Sequence, residues 1–234
     1  ILLCSPNNPT GTVYSPEEIQ ELLAICEDYN IFLVVDETYR EFVYDGLEPF
    51  SVLQLAPGSR RVIVVDSLSK RFSLCGARIG CFVTWNEEVL ATTLNIAQAR
   101  LAAPTLEQAA SAHMLQTVSD EYLSRVRREF EMRRDVLFQA LEQIPGMMAY
   151  KPKGAFYSIV QLPVDDAEKF AMFLLSEFAL DGKTTFVAPA SGFYMQNGRG
   201  QNKVRVAYVL ESHELEHAVA VLRAGLEAYP GRTE

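Results

Sequence analysis

The stretch Arg61-Val62-Ile63-Val64-Val65-Asp66-Ser67-Leu68-Ser69-Lys70 decides the fold, with Arg78 following eight residues after the lysine. Val62 to Val65 form a continuous apolar run of the kind found in strands covered on both faces. The run gives way to hydroxyls and a lysine. A lysine seated where a buried strand ends, near an arginine, reads as a reactive amine beside an anion site.

Two earlier segments end in the same way. Ile1 to Cys4 reads as a short buried strand that breaks at Ser5-Pro6-Asn7-Asn8-Pro9-Thr10-Gly11, a dense turn signal. Ser15-Pro16-Glu17-Glu18 then supplies an N-cap serine, a proline at the first helical position and a capping-box glutamate, with Ile19, Leu22, Leu23 and Cys26 at helical spacing. Ile31 to Val35 is a second apolar run, covered on both faces, ending in Asp36-Glu37-Thr38-Tyr39. Strand, helix, strand and crossover at this spacing predict an α/β fold with a mostly parallel sheet. Ligands of such sheets bind outside the carboxyl ends of the strands. Asn8, Asp36 with Tyr39, and Ser67 with Lys70 all fall just past such ends, where one sheet edge brings them together.

Further on, Ile79 to Trp85 reads as another strand. A helical stretch follows from Glu87 to about Gln116, interrupted near Ala103-Pro104, and a long helix runs from Glu121 to Ile144, ended by Pro145-Gly146. Glu121/Arg125 and Glu129/Arg133 are spaced for pairing along it. Beyond it, strands over Ala155–Val160, Thr185–Ala188 and Val204–Leu210 alternate with helices over Glu168–Phe178 and Leu215–Ala228. This pattern predicts two domains: residues 1–120, and a smaller α+β domain over 121–234 entered through the long helix.

The 234 residues are 49% apolar and 22% charged, with a net charge of -9, which argues against nucleic acid or an anionic membrane as the main partner. The cluster Arg125, Arg127, Arg128, Arg133 and Arg134 is interleaved with Glu129, Glu131 and Asp135 and reads as a solvated helix face. Cys4, Cys26, Cys75 and Cys81 have no CxxC spacing and sit in apolar segments, which points to a reduced, cytoplasmic setting rather than a disulfide framework. No signal peptide or membrane-length apolar run is visible. The chain opens in mid-strand on Ile1-Leu2-Leu3-Cys4 without an initiator methionine, which predicts that an N-terminal portion is missing.

Two literal motifs compete with this reading. His213-Glu214-Leu215-Glu216-His217 has the HExxH pattern of zinc proteases. At helical spacing, however, Leu215, Ala218, Val219, Leu222 and Leu226 form the apolar stripe and both histidines fall opposite it, with Ser212 as the N-cap, so no metal site is expected. Ser67-Leu68-Ser69-Lys70 also fits the SxxK of penicillin-binding enzymes, but the companion SDN and KTG elements are wrong at their last positions in Ser119-Asp120-Glu121 and Lys183-Thr184-Thr185. Singly, Asn8 reads as a turn former, Asp36 as a cap, Tyr39 as core, and Lys70, Arg78 and Arg205 as surface cations. Their joint occurrence at strand ends in one chain tips the balance towards function.

Read together, Asn8-Pro9-Thr10-Gly11, Asp36-Glu37-Thr38-Tyr39, Ser67-Leu68-Ser69-Lys70 and Arg78 resemble the ordered motifs of class I/II aminotransferases of fold type I, which use pyridoxal 5'-phosphate. Lys153-Gly154-Ala155-Phe156-Tyr157 and Asn202-Lys203-Val204-Arg205 are similar to the family's small-domain signatures. The likeness runs over nearly the whole chain and is nearest to aspartate aminotransferase-like members. It implies that Lys70 joins the cofactor as an imine and later moves a proton, and that Asp36 faces the pyridine nitrogen. Asn8 and Tyr39 would bond the ring oxygen. Ser67, Ser69 and Arg78 would hold the phosphate, and Arg205 the substrate carboxylate. The alternation Val204, Val206, Tyr208 sends Arg205 to the opposite face of its strand. The Asn8-Pro9 bond is a candidate for the cis form.

The same resemblance implies amino-acid and 2-oxo-acid substrates and a homodimer at full length. An upstream segment that the family normally has, with further phosphate donors and an aromatic for the ring, is not in this chain. A polypeptide beginning at Ile1 is therefore expected to bind cofactor weakly and to expose sheet edges. Arg100 is a poor match to the second arginine of dicarboxylate-specific relatives and reads as a helix-surface residue. Two other activities fit the same motifs, a carbon-sulfur lyase of the same fold type and the amine-sensing domain of a transcriptional regulator.

Overall fold

The computed structural model describes residues 1–233. By its internal contacts the chain falls into two compact units, one of residues 1–7, 12–127 and 153–155 and the other of residues 8–11, 128–152 and 156–234.

In the first unit, helix α1 (Pro16–Asp28) starts where the sequence places it. The Ser15 hydroxyl accepts from the Glu18 amide at 3.2 Å, and Glu18 accepts from the Ser15 amide at 2.7 Å. A cap of this kind contributes about 1 kcal/mol. The helix buries Ile19, Leu23 and Cys26 against Leu33 and Val35 of β2 (Leu33–Asp36), Val62 and Val64 of β3 (Val62–Ser67) and Val52 of α2 (Val52–Leu55). Each such aliphatic side chain contributes about 1.5–3 kcal/mol on burial. The sheet order is β1-β2-β3-β4, with β1 at Leu2–Cys4 and β4 at Gly80–Thr84. The first three strands run parallel and β4 antiparallel, so the sheet is mostly parallel as expected. Register aligns Cys4 with Asp36 and Asp36 with Val65, which puts three carboxyl ends at one edge.

Burial departs from the expectation on two strands. Leu2 is 76% exposed, so β1 is not a buried strand. In β2, Leu33 and Val35 are buried while Val34 and Asp36 are only half-buried, so one face is fully covered rather than two. The cause is that the core gathered around α1 and α2 seals one face only. Strand β3, which leads to the lysine, is two residues longer than predicted and passes directly into a one-turn helix, α3 (Leu68–Arg71), that carries it. Gly80, opposite Ser67, is required there, because a Cβ would sit 2.8 Å from the Asp66 carbonyl oxygen.

Helices α4 (Glu87–Ala99) and α5 (Thr105–Thr117) leave a break over residues 100–104 where Ala103-Pro104 predicts one. Arg100 is exposed at the end of α4. The long helix α6 (Asp120–Leu141) stops three residues before Ile144, in a turn closed by Gly146 at φ 79°. Glu129 and Arg133 pair at 2.7 Å, whereas Arg125 lies over the Tyr122 ring. The solvated-face reading fails for Arg134, whose side chain is fully buried. Its guanidinium donates to the Pro152 carbonyl at 3.0 Å and to Asp135 at 2.8 Å, and these acceptors carry it inward.

The second unit has an antiparallel sheet of order β5-β6-β8-β7, with β5 at Met148–Ala149, β6 at Tyr157–Gln161, β7 at Ala188–Pro189 and β8 at Lys203–Ala207. Val160 and Val204 are fully buried. Helix α7 (Ala167–Ser176) is capped by Asp166, and helix α8 (Ser212–Ala228) brings Gly225 against Leu174. The strand expected over Thr185–Ala188 shrinks to β7, and β8 ends at Ala207 rather than Leu210. Backbone pairing with β8 reaches only Ala188 and Pro189. Ser212 is the first helical residue and not the cap, which falls at Glu211 without a side-chain bond.

Lys153-Gly154-Ala155, between β5 and β6 in sequence, belongs to the first unit. Gly154 forms a bridge with Val43, and the Ala155 amide donates to the Phe42 carbonyl at 2.9 Å. A Cβ on Gly154 would lie 2.6 Å from Val13 and 2.7 Å from Pro6. Only glycine fits that approach.

Candidate functional site

The parallel sheet gathers most of the candidate residues because its strands end together. Asp36 closes β2, and its Oδ1 accepts from the Thr38 amide at 2.9 Å. That bond turns the chain and engages only one of the two carboxylate oxygens. Tyr39, three residues after Asp36, is buried with its ring tilted against Phe42.

At the end of β3 the Ser67 hydroxyl accepts from the Ser69 amide at 3.1 Å, capping α3. Its oxygen also lies 2.9 Å from Ser69 Oγ and 3.3 Å from the Ile79 carbonyl. Lys70 follows on α3, half-buried, with Nζ 3.9 Å from Cys75 Sγ. Cys75 in turn donates to the Ser69 carbonyl at 3.2 Å.

Arg78 enters from the other direction, two residues before the Gly80–Ser67 pair. Its backbone is left-handed, at φ 58°, and Nη1 donates to the Cys75 carbonyl at 2.7 Å. A non-glycine residue held there carries strain, which is concentrated at functional sites. Among the described residues no other acceptor engages its guanidinium. The edge thus presents a carboxylate oxygen, an amine, hydroxyls and guanidinium donors with spare bonding capacity. A group with a cationic ring nitrogen, a carbonyl and an anionic tail fits this donor set.

Asn8 and Arg205 lie in the second unit, where they meet each other. Arg205 Nη1 donates to Asn8 Oδ1 at 3.1 Å, and its guanidinium lies 4.6 Å from the Tyr157 ring centre and 5.3 Å from that of Phe193. Val204 and Tyr208 are buried, so Arg205 does project from the opposite face of β8. Both Ser5-Pro6 and Asn8-Pro9 are cis.

Sequence reasoning missed the residues that support this edge. Glu37, Arg40, Glu41, Asp66 and Arg71 form a chain of ion pairs, with Arg40 to Glu37 at 2.8 Å and Arg71 to Asp66 at 2.7 Å. Burial works against the charge on Arg40, but the Glu37 bond and the carboxylates of Glu37, Asp66 and Glu41 outweigh it and hold the guanidinium's pKa above its ordinary value. Burial, then the Asp66 charge, push the Cys81 thiol up. Arg71 had a signal, since it interrupts an otherwise polar and hydroxylated turn, but a cation beside Lys70 reads as surface.

The HExxH match divides on inspection. His213 is exposed beside Glu211 and Glu214. His217 does not lie opposite the apolar stripe: its Nε2 is buried without a hydrogen-bond partner, at a cavity of about 620 Å³ whose walls include Leu137, Val206 and Leu222. A ring packed at the flank of the stripe accounts for this. Among the described residues no group of three or more His, Cys, Asp or Glu side chains is placed to hold a metal. The four cysteines are free thiols, and among the described residues no helix is long and apolar enough to cross a membrane.

A mostly parallel sheet with its candidate residues at the strand ends, followed by a smaller unit with an antiparallel sheet, defines an α/β protein of the pyridoxal-phosphate transferase fold. The family model for aminotransferase class I and II matches residues 1–222, and the chain belongs to that family. An aspartate aminotransferase of Bacillus sp. (strain YM-2) is 30% identical over 223 residues, covering 94% of this chain and 55% of the relative. The aspartate aminotransferase from Thermus thermophilus with maleate superposes with a TM-score of 0.82 at 28% identity, over 96% of this chain and 56% of that one. An aromatic aminotransferase from Pyrococcus horikoshii OT3 gives 0.80 at 26% identity, over 97% and 59%. The chain therefore spans little more than half the length of these relatives.

Proposed function

We propose that the protein is a pyridoxal-phosphate-dependent aminotransferase that moves an amino group between an L-amino acid and a 2-oxo acid. The observation that carries this reading is the set of partly unengaged groups at one sheet edge: Asp36, Lys70 and Arg78, with Ser67 and Ser69 beside them. When bound, the cofactor supplies an electron sink for charge developing at the substrate Cα. Lys70 contributes the amine that attaches the cofactor and then carries a proton at Nζ, a role suited to a primary amine at a half-buried position. Asp36 holds a proton on the ring nitrogen through its unengaged oxygen. Arg78, Ser67 and Ser69 take the phosphate, the arginine through its fork of donors. Tyr39 and Asn8 serve the ring oxygen. Arg205 binds the substrate carboxylate, its guanidinium resting on the Tyr157 and Phe193 rings.

Aspartate and the aromatic amino acids are the first donors to test, since relatives carry those names. The complete protein is proposed to act as a homodimer in the cytoplasm. Exposed Leu90, Leu94 and Leu106 on α4 and α5 support an interface, and free thiols support a reducing compartment. The division into domains at 1–120 and 121–234 is part of the same proposal. The test is a spectral screen of the protein with pyridoxal phosphate against L-amino acids, followed by regeneration with 2-oxo acids. A cycle that runs in both directions and disappears in Lys70→Ala supports the reading. Release of ammonia and pyruvate without an acceptor would replace it with a lyase.

A further inference from the structure

Five charged residues beside the strand ends have no part in the chemistry above, yet they form one connected network. Glu37, only 2% exposed, accepts from Ser51 Oγ at 2.9 Å, the Val52 amide at 2.8 Å and Arg40 Nη1 at 2.8 Å. Arg40 also lies 3.5 Å from Glu41 and 3.7 Å from Asp66. Asp66 accepts from the Ser67 amide at 2.7 Å and from Arg71 Nη2 at 2.7 Å. Arg71, 8% exposed, completes the circuit with Nε 3.7 Å from Glu41.

The position of this network along the sequence is informative. Glu37 follows Asp36, Asp66 precedes Ser67 and Arg71 follows Lys70. Neighbours on a strand point to opposite faces, and neighbours on a helix lie about 100° apart. Glu37 and Asp66 therefore hold backbone amides, of Val52 and Ser67, and Arg71 holds Asp66, while the neighbouring Asp36, Ser67 and Lys70 are presented on another side. Asp66 clamps both ends of the lysine turn, through the Ser67 amide at its start and the Arg71 guanidinium at its finish. Lys70 sits between the two grips. Stability alone is a poor explanation. Buried ion pairs are weak stabilisers, and Arg71 Nε is buried without a hydrogen-bond partner.

We propose that Arg71 and Asp66 are positioning residues that fix the direction of Lys70, with Arg40 and Glu37 tying the same turn to the end of β2 that carries Asp36. This inference rests on the cofactor reading of Lys70. The experiment uses the full chain as wild type, Arg71→Lys, Arg71→Met and the double variant Asp66→Asn/Arg71→Met. The double variant removes the Asp66 carboxylate together with its cation and leaves Glu41 paired with Arg40. Each is incubated with pyridoxal phosphate, reduced with borohydride and peptide-mapped, and the ratio of label at Lys70 to label at surface Lys151 is measured alongside the thermal transition. Wild type is expected to label Lys70 selectively. Arg71→Met and the double variant should lose selectivity by about ten- to a hundredfold. Arg71→Lys keeps the charge without the fork and should fall between them and wild type. A wild-type ratio in Arg71→Lys, or in a double variant that still unfolds cooperatively, overturns the positioning role. A wild type with no preference for Lys70 overturns the cofactor reading itself.

Discussion

The two sheets present polar chemistry in different ways. In β1–β4, Asp36, Ser67 and Lys70 come at or just past the last paired residues, because parallel strands pool their carboxyl ends. In β5–β8, Arg205 lies mid-strand, paired with Ile159 on one side and Ala188 on the other. Both sheets seal one face: Leu33 and Val35 of β2, Val160 of β6 and Val204 of β8 are fully buried, while their neighbours along each strand are only half-buried. The first sheet gathers its polar candidate residues at one edge, and the second carries Arg205 on the half-open face of a middle strand. Changes in the first should cost function before stability, and changes in the second the reverse, except at Arg205.

The sharpest contrast comes from removing one side chain from each. Lys70→Ala should lower transamination by about 10²–10⁴-fold, while moving stability by less than about 0.5 kcal/mol, since Lys70 fills no core position. Phe170→Ala should do the opposite. Its ring is fully buried and packs edge-on against Tyr229 at 5.1 Å, so truncation should cost about 3–5 kcal/mol in a denaturant titration. Comparable activity losses per unit of stability in the two variants would break the comparison.

Smaller effects refine it. Arg205→Lys keeps the charge but loses the fork, and should raise KM about tenfold with little change in the denaturation midpoint. Gly154→Ala puts a methyl group against Val13, Pro6 and the Phe42 carbonyl and should destabilise the first unit by about 1–3 kcal/mol, although the residue lies among second-unit sequences. Asp166→Ala removes the α7 cap, whose Oδ1 accepts from the amides of Glu168 and Lys169, and should cost about 1 kcal/mol at neutral pH. The Lys169 amide bond, first among several, holds the Asp166 carboxyl below its ordinary pKa. A lowered folded-state pKa means stability that is present above the unfolded value and lost as pH falls through the folded one. The Asp166→Ala deficit should therefore shrink on acidification below the usual carboxylate range. A deficit that stays constant with pH would assign the cost to packing.

Much of this arrangement can be read from the residues themselves. The Ser15/Glu18 capping box, the apolar run ending at Asp66 and the break before Thr105 each have local causes, and local causes are visible in sequence. The edge of Asp36, Ser67 and Lys70 follows from the parallel topology. What remained hidden depends on partners distant along the chain. An apolar run such as Ile31–Val35 does not record that only one of its faces is sealed. Arg134 belongs to a basic cluster by composition, and only the Pro152 carbonyl decides that it turns inward. Arg71 is likewise indistinguishable from a surface cation until Glu41, from the segment after β2, is placed beside it.

The central claim is that Lys70 is the amine to which the cofactor attaches. It is tested most directly by reducing the pyridoxal phosphate adduct of the wild-type protein with borohydride and mapping the modified lysines by mass spectrometry. Label is expected to concentrate at Lys70 and to be lost when an L-amino acid is added before the borohydride. Label spread evenly over Lys70, Lys151, Lys153 and the other lysines, unaffected by amino acid, would contradict it.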